Sequence, residues 1–302
     1  MHVPAYPNFS PLCMEMRSEI HSCLDLISDG ISEFTFSGLY LFKNRYQYRV
    51  TRLEDSTLII SGVSPLDNKA FFMSPCGYPG DEILKQLFKT HDYWKNIPPS
   101  FPESMINNMP FIQYMETLGI SVIEDPDNFD YLYLRSELAE LSGKKFHKKK
   151  NHVNAFVRAW PDHKGLALEA ALIPDAMTVL EGWKNDKGED IDYFAAKEAL
   201  EQFSALQLKG ALYYAGNKPI AFCLGENAAL GTMFVVHIEK ALESYRGVYQ
   251  YMNQAFAASL PENFKFINRE QDLGNEGLRQ AKMTYRPVGF MKKYKGCFIR
   301  QP

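Results

Sequence analysis

The sequence SGKKFHKKKNHVNAF, residues 142–156, places five lysines within seven positions. Gly143 suits the position just past a short helix that begins near Ser136, and a second helix is predicted to open at Lys145. Apolar residues recur on one face of this second helix at about 3.6 residues per turn, namely Phe146, Val153, Phe156, Val157 and Trp160. The stretch therefore predicts an amphipathic helix whose first turns carry concentrated positive charge.

The positive charge of this helix lies at its N-terminus, the end at which the helix dipole favours anions. Acidic neighbours in the fold or an anionic ligand would compensate the charge, and the alternative is a lysine-rich face in contact with water. As a functional surface, the stretch would bind the phosphates of a tRNA acceptor end or an anionic lipid headgroup. The residues assigned to this role are Lys144, Lys145, Lys148, Lys149, Lys150 and Asn151.

A second informative stretch, residues 264–287, reads FKFINREQDLGNEGLRQAKMTYRP. Its polar run Asn268-Arg269-Glu270-Gln271-Asp272 follows an apolar strand and precedes a helix, a position at which ligands bind in open α/β folds. Glu270 and Asp272 are predicted to bind an ammonium group, and Arg269 to pair with them or with a phosphate. Asn268 and Lys282 complete the predicted substrate site, Lys282 as an electrostatic partner of the two carboxylates. The alternative is a solvated loop.

The chain resembles a known family in three blocks, DYLYLRSELAELSGKKFHKKKNHVNAF (130–156), VVHIEKALESYRGVYQYMNQAF (235–256) and INREQDLGNEGLRQAKMTYRPVGFMKKY (267–294). The blocks resemble the C-terminal catalytic region of bacterial phosphatidylglycerol lysyltransferases and small stand-alone uncharacterised proteins built on it. The early segment 34–50 fits the same pattern. The resemblance implies an α/β (α+β) chain of two tandem acyl-CoA N-acyltransferase-like domains, each a mixed, mostly antiparallel sheet flanked by helices. We expect them at 1–142 and 143–302, with the site in the second.

The resemblance implies a transferase that moves an aminoacyl group from charged tRNA to an amine or hydroxyl acceptor, phosphatidylglycerol among the candidates. One alternative is an acyl-CoA-dependent N-acyltransferase that uses acetyl-CoA or another acyl-CoA. A second alternative is a non-catalytic ligand-binding protein of the same fold. One fold hosts many activities, so the resemblance alone does not choose among them.

A glycine-containing turn after the central strand normally presents backbone N–H groups to the cofactor pyrophosphate in this superfamily. Here only Arg246-Gly247 remains of that turn, and Tyr249 replaces its second glycine. A side chain at that position would crowd a cofactor phosphate, which favours transfer from tRNA over transfer from acetyl-CoA. Arg246 and Gly247 are predicted phosphate contacts, and a plain strand-to-helix turn is the alternative.

His237 and Glu239 are the predicted catalytic pair because strand alternation directs both side chains to one face of the sheet. Histidine is suited to general-base catalysis near neutral pH, and the carboxylate would orient its ring. The alternative pairs Glu239 with a lysine and leaves His237 as a satisfied structural residue. Tyr285 follows a predicted helix where superfamily members place a tyrosine that protonates the leaving group, and its alternative role is aromatic packing.

The composition argues against a chain coated with charge of one sign. There are 33 Lys and Arg against 36 Asp and Glu, a net charge of −3. Any polyanion contact must therefore use a local patch. Five scattered cysteines without a CxxC motif predict reduced, cytoplasmic thiols, with neither a disulfide framework nor a metal site. The N-terminus MHVPAYPNFS lacks a signal-peptide pattern, and no run of about 18 apolar residues predicts a membrane span.

The expected secondary structure alternates helices and strands in both halves. Strands are predicted within 34–50 and at 58–63, 70–73 and 130–134, and a helix broken at Pro110 at 101–118. In the second half, three strand-like runs at 210–215, 219–224 and 231–238 form a meander. A helix at 248–260 and a late strand–helix–strand at 264–294 follow. This order is that of the acyltransferase fold.

Overall fold

The computed structural model describes residues 2–187 and 191–299 and divides the chain into two compact units. Unit 1 comprises Met1–Asp130, Gln271–Gly274 and Met291–Pro302, and unit 2 comprises Tyr131–Glu270 and Asn275–Phe290. The division therefore lies at residues 130 and 131 rather than at 142 and 143. Two later segments also belong to unit 1, so a single boundary in the sequence does not describe the two units.

The described residues contain the following strands: β1 (Ser10–Pro11), β2 (Arg49–Arg52), β3 (Leu58–Val63), β4 (Ala70–Met73), β5 (Tyr93–Ile97), β6 (Met105–Ile106), β7 (Met109–Pro110), β8 (Ile120–Glu124), β9 (Asp130–Leu134), β10 (Lys164–Ala167), β11 (Lys209–Ala215), β12 (Lys218–Ala228), β13 (Met233–Ala241), β14 (Phe266–Asn268), β15 (Gly289–Met291) and β16 (Tyr294–Phe298).

The α-helices of the same residues are α1 (Arg17–Leu24), α2 (Phe36–Leu41), α3 (Lys43–Tyr46), α4 (Asp81–Leu87), α5 (Phe111–Thr117), α6 (Arg135–Glu140), α7 (His147–Ala159), α8 (Ile173–Lys187), α9 (Ile191–Glu201), α10 (Phe203–Leu206), α11 (Val248–Ser259) and α12 (Glu276–Met283). A short 3-10 turn, Lys144–Phe146, leads directly into α7.

Each unit contains one seven-stranded sheet, in the order β1-β2-β3-β4-β5-β16-β8 in unit 1 and β10-β11-β12-β13-β14-β9-β15 in unit 2. Each sheet has a parallel pair, β4–β5 and β13–β14, whose strands are joined through a helix, α4 or α11. Most other neighbours are antiparallel. The expected fold class, two mixed and mostly antiparallel sheets flanked by helices, is confirmed.

The sixth position of each sheet is filled out of sequence order. In unit 1 this position belongs to β16, which follows every other strand of its sheet along the chain. In unit 2 it belongs to β9, which precedes every other strand of its sheet. Neither strand pairs with its neighbours in the sequence, so local pattern does not reveal these pairings.

Several expected elements are confirmed, and two are wrong. Strands β3, β4 and β9 have the predicted bounds. The segment 34–50 is mostly helical, because Thr35 Oγ1 caps α2 by accepting from Gly38 N at 3.0 Å and every residue of α2 is buried. The expected broken helix at 101–118 is a small hairpin followed by α5, and Pro110 is the N-cap of that helix. Helix α2 is completely buried, so its sequence lacks the polar–apolar periodicity that distinguishes a helix from a strand, and strands were predicted within 34–50 instead.

The prediction that the cysteines form no disulfide is wrong for one pair. Cys23, in α1, is bonded to Cys76, which lies before α4. The remaining cysteines, Cys13, Cys223 and Cys297, are not disulfide-bonded. The paired residues are 53 positions apart, so only the tertiary fold brings them together.

Each unit has its own apolar core. In unit 1, Phe72, Leu84, Trp94 and Phe111 are completely buried. In unit 2, helices α7 and α11 pack on the sheet through residues that include Phe156, Val248, Met252 and Phe234. At about 25 cal/mol per Å² of buried apolar surface, such aromatic cores are the main favourable contribution to folding.

A β-bulge lies in the middle of the unit 2 sheet. Leu224 pairs with Ile238 and Gly225 with Val236, so His237 is the extra residue on β13. A Cβ atom on Gly225 would lie 1.9 Å from the carbonyl oxygen of Val235. The bulge therefore requires glycine on the opposite strand.

Replacing Gly225 with alanine is expected to lower the free energy of unfolding by about 1–3 kcal/mol, because β12 and β13 must separate. The matched control is Gly277→Ala in α12, where a Cβ atom has no contact closer than 3.4 Å. This control should be neutral or stabilising by about 0.5–1 kcal/mol. Urea denaturation measures both, and equal stability of the two variants would contradict the assignment.

A buried ion cluster lies in unit 1. The Lys293 ammonium has no exposed surface, donates to Asp130 Oδ1 at 2.7 Å and also donates to Glu33. Burial alone would lower the pKa of Lys293, but Asp130 and Glu33 outweigh it and raise that pKa. Asp130 also accepts from Ser32 N at 2.8 Å. The charges are therefore compensated inside the unit.

Lys293→Met is expected to destabilise the chain by about 3–5 kcal/mol, because it leaves a buried carboxylate without its counter-charge. Lys292→Met is the adjacent control, since Lys292 forms an exposed pair with Glu124 that contributes at most about 1 kcal/mol. Thermal and urea unfolding distinguish the two variants. A Lys293→Met protein as stable as the control would show that the cluster does not support the fold.

Candidate functional site

The candidate site lies in unit 2, where β13 and β14 diverge. These parallel strands pair from Met233–Phe266 to Val235–Asn268, after which β14 ends and β13 continues. Two consecutive residues beyond the end of β14 then contact two residues of β13. Arg269 donates to Glu239, and Glu270 Oε1 lies 2.7 Å from His237 Nδ1.

The His237 imidazole is enclosed by two carboxylates. Its Nε2 lies 3.0 Å from Glu226 Oε1, its Nδ1 contacts Glu270, and its side chain has no exposed surface. Burial alone would lower the pKa of His237, but hydrogen bonds to Glu226 and Glu270 outweigh it and raise the pKa to about 10. His237 is therefore an imidazolium at neutral pH.

This geometry bears on the predicted role of His237 as a general base. Both ring nitrogens are occupied and the ring is already protonated, so His237 accepts no further proton in this arrangement. Its charge instead compensates Glu226 and Glu270. Glu270 remains about one-fifth exposed and can face a ligand. Glu226 is a site residue that the sequence analysis missed. It could have been found as an acidic residue that follows the apolar part of a predicted strand.

Arg269 and Glu239 form the second charged pair of the site. The guanidinium donates to Glu239, and its Nε and Nη1 have no hydrogen-bond partner among the described residues. Its carbon Cζ lies 5.0 Å from the centre of the Tyr285 ring and 5.9 Å from that of Tyr133. Glu239 raises the pKa of Arg269 against the opposing effect of burial, so the arginine stays charged.

The backbone between these pairs is fixed by Asn268 and Lys282. Asn268 Oδ1 accepts from Glu270 N at 2.7 Å, and Glu270 has a φ of +57°, a conformation that non-glycine residues rarely adopt. Lys282 Nζ donates to the carbonyl oxygens of Arg269 at 2.8 Å and Glu270 at 3.1 Å. Lys282 thus holds two backbone oxygens, and its predicted pairing with carboxylates stays a prediction. These contacts aim the Arg269 and Glu270 side chains.

Tyr285 lies against two cations. The Tyr285 side chain is buried, and Lys149 Nζ lies 3.9 Å from the centre of its ring. Burial is the largest cause that raises the pKa of Tyr285 to about 12, so the phenol stays neutral. Burial and the nearby Arg269 charge lower the pKa of Lys149 to about 8. The protonating role predicted for Tyr285 stays a prediction.

The remaining lysines of the 142–156 stretch lie elsewhere. Lys145 forms a 2.6 Å ion pair with Glu137, which is one of the acidic neighbours that the sequence led us to expect. Lys150 Nζ is 3.3 Å from the Glu140 carbonyl oxygen. A cavity of about 710 Å³ is lined by Leu141, Ser142, Gly143, Lys144, His147, Lys150, Asn151 and Asn154. The structure therefore separates Lys149 from the lysines on this cavity.

The Arg246-Gly247 turn is packed rather than open. Gly247 has a φ of +88°, and a Cβ atom there would lie 2.5 Å from the His152 carbonyl oxygen of α7. The Tyr249 hydroxyl accepts from Ala241 N at 3.3 Å. Gly247 thus allows α11 to begin against α7, while Arg246 is exposed. Phosphate binding by this turn stays a prediction.

Asp272 belongs to unit 1, and its Oδ1 accepts from Gly274 N at 2.9 Å. Its carboxylate is buried. Its predicted contact with a substrate ammonium stays a prediction.

The raised pKa of His237 predicts how stability changes with pH. A raised pKa gives stability that is fully present below the unfolded-state value, about 6.5, and that is lost as pH rises through about 10. His237→Gln should therefore flatten the decline in unfolding free energy between these pH values. His152→Gln, on the exposed side of α7, is the control and should keep the wild-type slope. Urea denaturation at several pH values measures this, and parallel slopes for wild type and His237→Gln would contradict it.

Comparison with known proteins agrees with the fold. A family model described as phosphatidylglycerol lysyltransferase, C-terminal, matches residues 24–295. A conserved protein of unknown function from Bacteroides thetaiotaomicron VPI-5482 is 28% identical with a TM-score of 0.81, covering 96% of this chain and 99% of that chain. The C-terminal domain of a putative lysylphosphatidylglycerol synthetase from Agrobacterium fabrum is 13% identical with a TM-score of 0.61, covering 93% and 91%.

An uncharacterised protein of Mycoplasmoides gallisepticum is 28% identical over 172 residues, 55% of this chain and 54% of that protein. The match thus spans about half the length of that relative. Among the described residues, no helix is both long and apolar enough to cross a membrane. Because the family model covers most of the sequence, the chain belongs to the phosphatidylglycerol lysyltransferase C-terminal family.

Proposed function

We propose that this chain is an aminoacyltransferase that takes an aminoacyl group from charged tRNA and passes it to an amine or hydroxyl acceptor. The observation that carries the proposal is a pair of adjacent charge clusters of opposite sign at the β13–β14 divergence. Glu226, Glu270 and the His237 imidazolium leave one surplus negative charge. Arg269, Lys149 and Glu239 leave one surplus positive charge.

An aminoacyl ester presents the complementary pattern. Its α-ammonium group suits the partly exposed Glu270 carboxylate, because charge-assisted hydrogen bonds are stronger than neutral ones. Its carbonyl oxygen becomes negative when a nucleophile adds, and a fixed positive cluster stabilises that charge. An acetyl group carries no ammonium and would leave the acidic cluster without a ligand.

The lysine-lined cavity supports the same donor. Lys144, Lys150 and Asn151 line it, and cations of this kind bind the phosphates of a tRNA acceptor end with strong salt dependence. The packing of Gly247 against α7 and of Tyr249 against Ala241 argues against a cofactor pyrophosphate in the usual turn. Acyl-CoA-dependent transfer is therefore the second candidate.

A binding experiment tests the proposal. Lysyl-, alanyl- and uncharged tRNA, together with acetyl-CoA, are titrated against the pure chain at about 50 and 200 mM salt. We expect salt-sensitive binding that prefers charged tRNA. Glu270→Gln should reduce that preference about 10- to 100-fold, the effect of losing one charged hydrogen bond, while binding of uncharged tRNA stays unchanged. Glu262→Gln is the control, since the Glu262 side chain is 94% exposed.

Transfer is then assayed with labelled aminoacyl-tRNA and a panel of amine and hydroxyl acceptors that includes vesicles of phosphatidylglycerol, the lipid in the family's description. Transfer that requires Glu270 would support the proposal. Equal binding of charged and uncharged tRNA, with no transfer to any acceptor, would overturn it. Binding of acetyl-CoA alone would favour the second candidate.

A further inference from the structure

Lys149 differs from the other four lysines of its stretch in where α7 places it. Residues Phe146, Lys149, Val153 and Phe156 follow one another at spacings of three, four and three, the spacing of one helix face. The three apolar members are buried. Lys149 therefore occupies a position in the core-facing stripe, and its ammonium points to the Tyr285 ring.

The ammonium of Lys149 lies against an aromatic ring and near a second cation. Among the described residues no carboxylate forms an ion pair with it, and its close contact is the Tyr285 ring at 3.9 Å. Arg269 is the charged group that acts on it, and it acts as a like charge. From α6, Glu137 is already paired with Lys145. From α11, Tyr251 stacks on Phe156.

We propose that Lys149 is the general base of the transfer reaction, the group that takes the proton from the attacking amine or hydroxyl. The inference rests on the proposed function. It removes Lys149 from the phosphate-binding set to which the sequence assigned it. It also fills the role that the protonated and enclosed His237 does not fill in this structure.

The electrostatics of the position suit this role. Burial and the Arg269 charge lower the pKa of Lys149 to about 8. At pH 7.5 about a quarter of such lysines are neutral, against about one in a thousand at the usual pKa of about 10.4. Catalytic lysines are activated in the same way, by desolvation or by a neighbouring cation.

The proposed step is balanced. Neutral Lys149 Nζ accepts a proton from the acceptor N–H or O–H while that nitrogen or oxygen bonds to the ester carbonyl carbon. The carbonyl oxygen becomes an oxyanion next to Arg269 and the newly protonated Lys149, so the cluster carries its surplus positive charge when the oxyanion forms. When the intermediate collapses, the bond from the carbonyl carbon to the ribose oxygen breaks, and the ribose oxygen takes the proton from the Lys149 ammonium. Lys149 is then neutral again, and no co-reactant is needed.

The first test reads Lys149 without any substrate. The pure chain is acetylated with trace acetic anhydride across pH 6.5–10.5, and mass spectrometry quantifies each lysine. We expect the labelling of Lys149 to rise with a midpoint near 8. A lysine-containing reference peptide, added to the same reaction, should show a midpoint near the ordinary lysine value of about 10.4. A midpoint near 10.4 for Lys149 would overturn the inference.

The second test uses transfer kinetics. Lys149→Arg keeps the positive charge but cannot release a proton near neutral pH, so kcat should fall about 100-fold or more while the affinity for charged tRNA stays within about twofold. Wild-type kcat should rise with pH to a plateau above about 8, and the variant should lose this limb. Lys164→Arg, in the exposed edge strand β10 and outside the site, is the control and should behave as wild type.

The outcomes separate the two proposals. Full activity of Lys149→Arg would overturn the base role and leave the aminoacyltransferase proposal standing. Absence of transfer by the wild type, with no preference for charged tRNA, would overturn both. A lowered labelling midpoint together with loss of the alkaline limb in Lys149→Arg would support both.

Discussion

The site depends on the divergence of two parallel strands. Because β14 ends while β13 continues, the backbone after Asn268 no longer pairs with β13. The next two side chains can therefore extend along β13. Consecutive residues on a strand would point to opposite faces. The positive φ of Glu270 and the contacts of Asn268 and Lys282 change that geometry, so that both side chains contact the same strand.

The result is a polar interior whose charges are compensated by neighbours in the fold. Removing ions from water costs several kcal/mol each unless partners and hydrogen bonds replace the water. His237, Glu226 and Glu270 satisfy this condition largely among themselves. Arg269 satisfies it only in part, since two of its nitrogens have no hydrogen-bond partner among the described residues. A partly satisfied cation beside partly exposed carboxylates is a common arrangement at ligand sites.

Much of this arrangement can be predicted from the sequence, and the remainder fails for identifiable reasons. The run 268–272 and the pair His237 and Glu239 locate the site, because polar residues directly after apolar strands are a local signal. The role of His237 cannot be predicted from its local sequence, because Glu226 and Glu270, which are distant along the chain, reverse its expected protonation state. The sequence places Lys149 on the apolar face of α7, at helical spacing from Phe146, Val153 and Phe156. Five lysines close together nevertheless suggest an exposed surface, so this position is easily overlooked. The Cys23–Cys76 pairing and the position of β16 depend on distant contacts that no local pattern encodes.

The out-of-order sixth strand has a consequence for synthesis on the ribosome. All seven strands of the unit 2 sheet are synthesised by Met291, whereas β5 and β8, complete by Glu124, lack the strand between them until β16 is made afterwards. Their unpaired edges are templates for pairing with other chains, and non-local strand pairing is slow. We expect unit 1 to be the part of the nascent protein that needs protection from aggregation, although most of it is translated first.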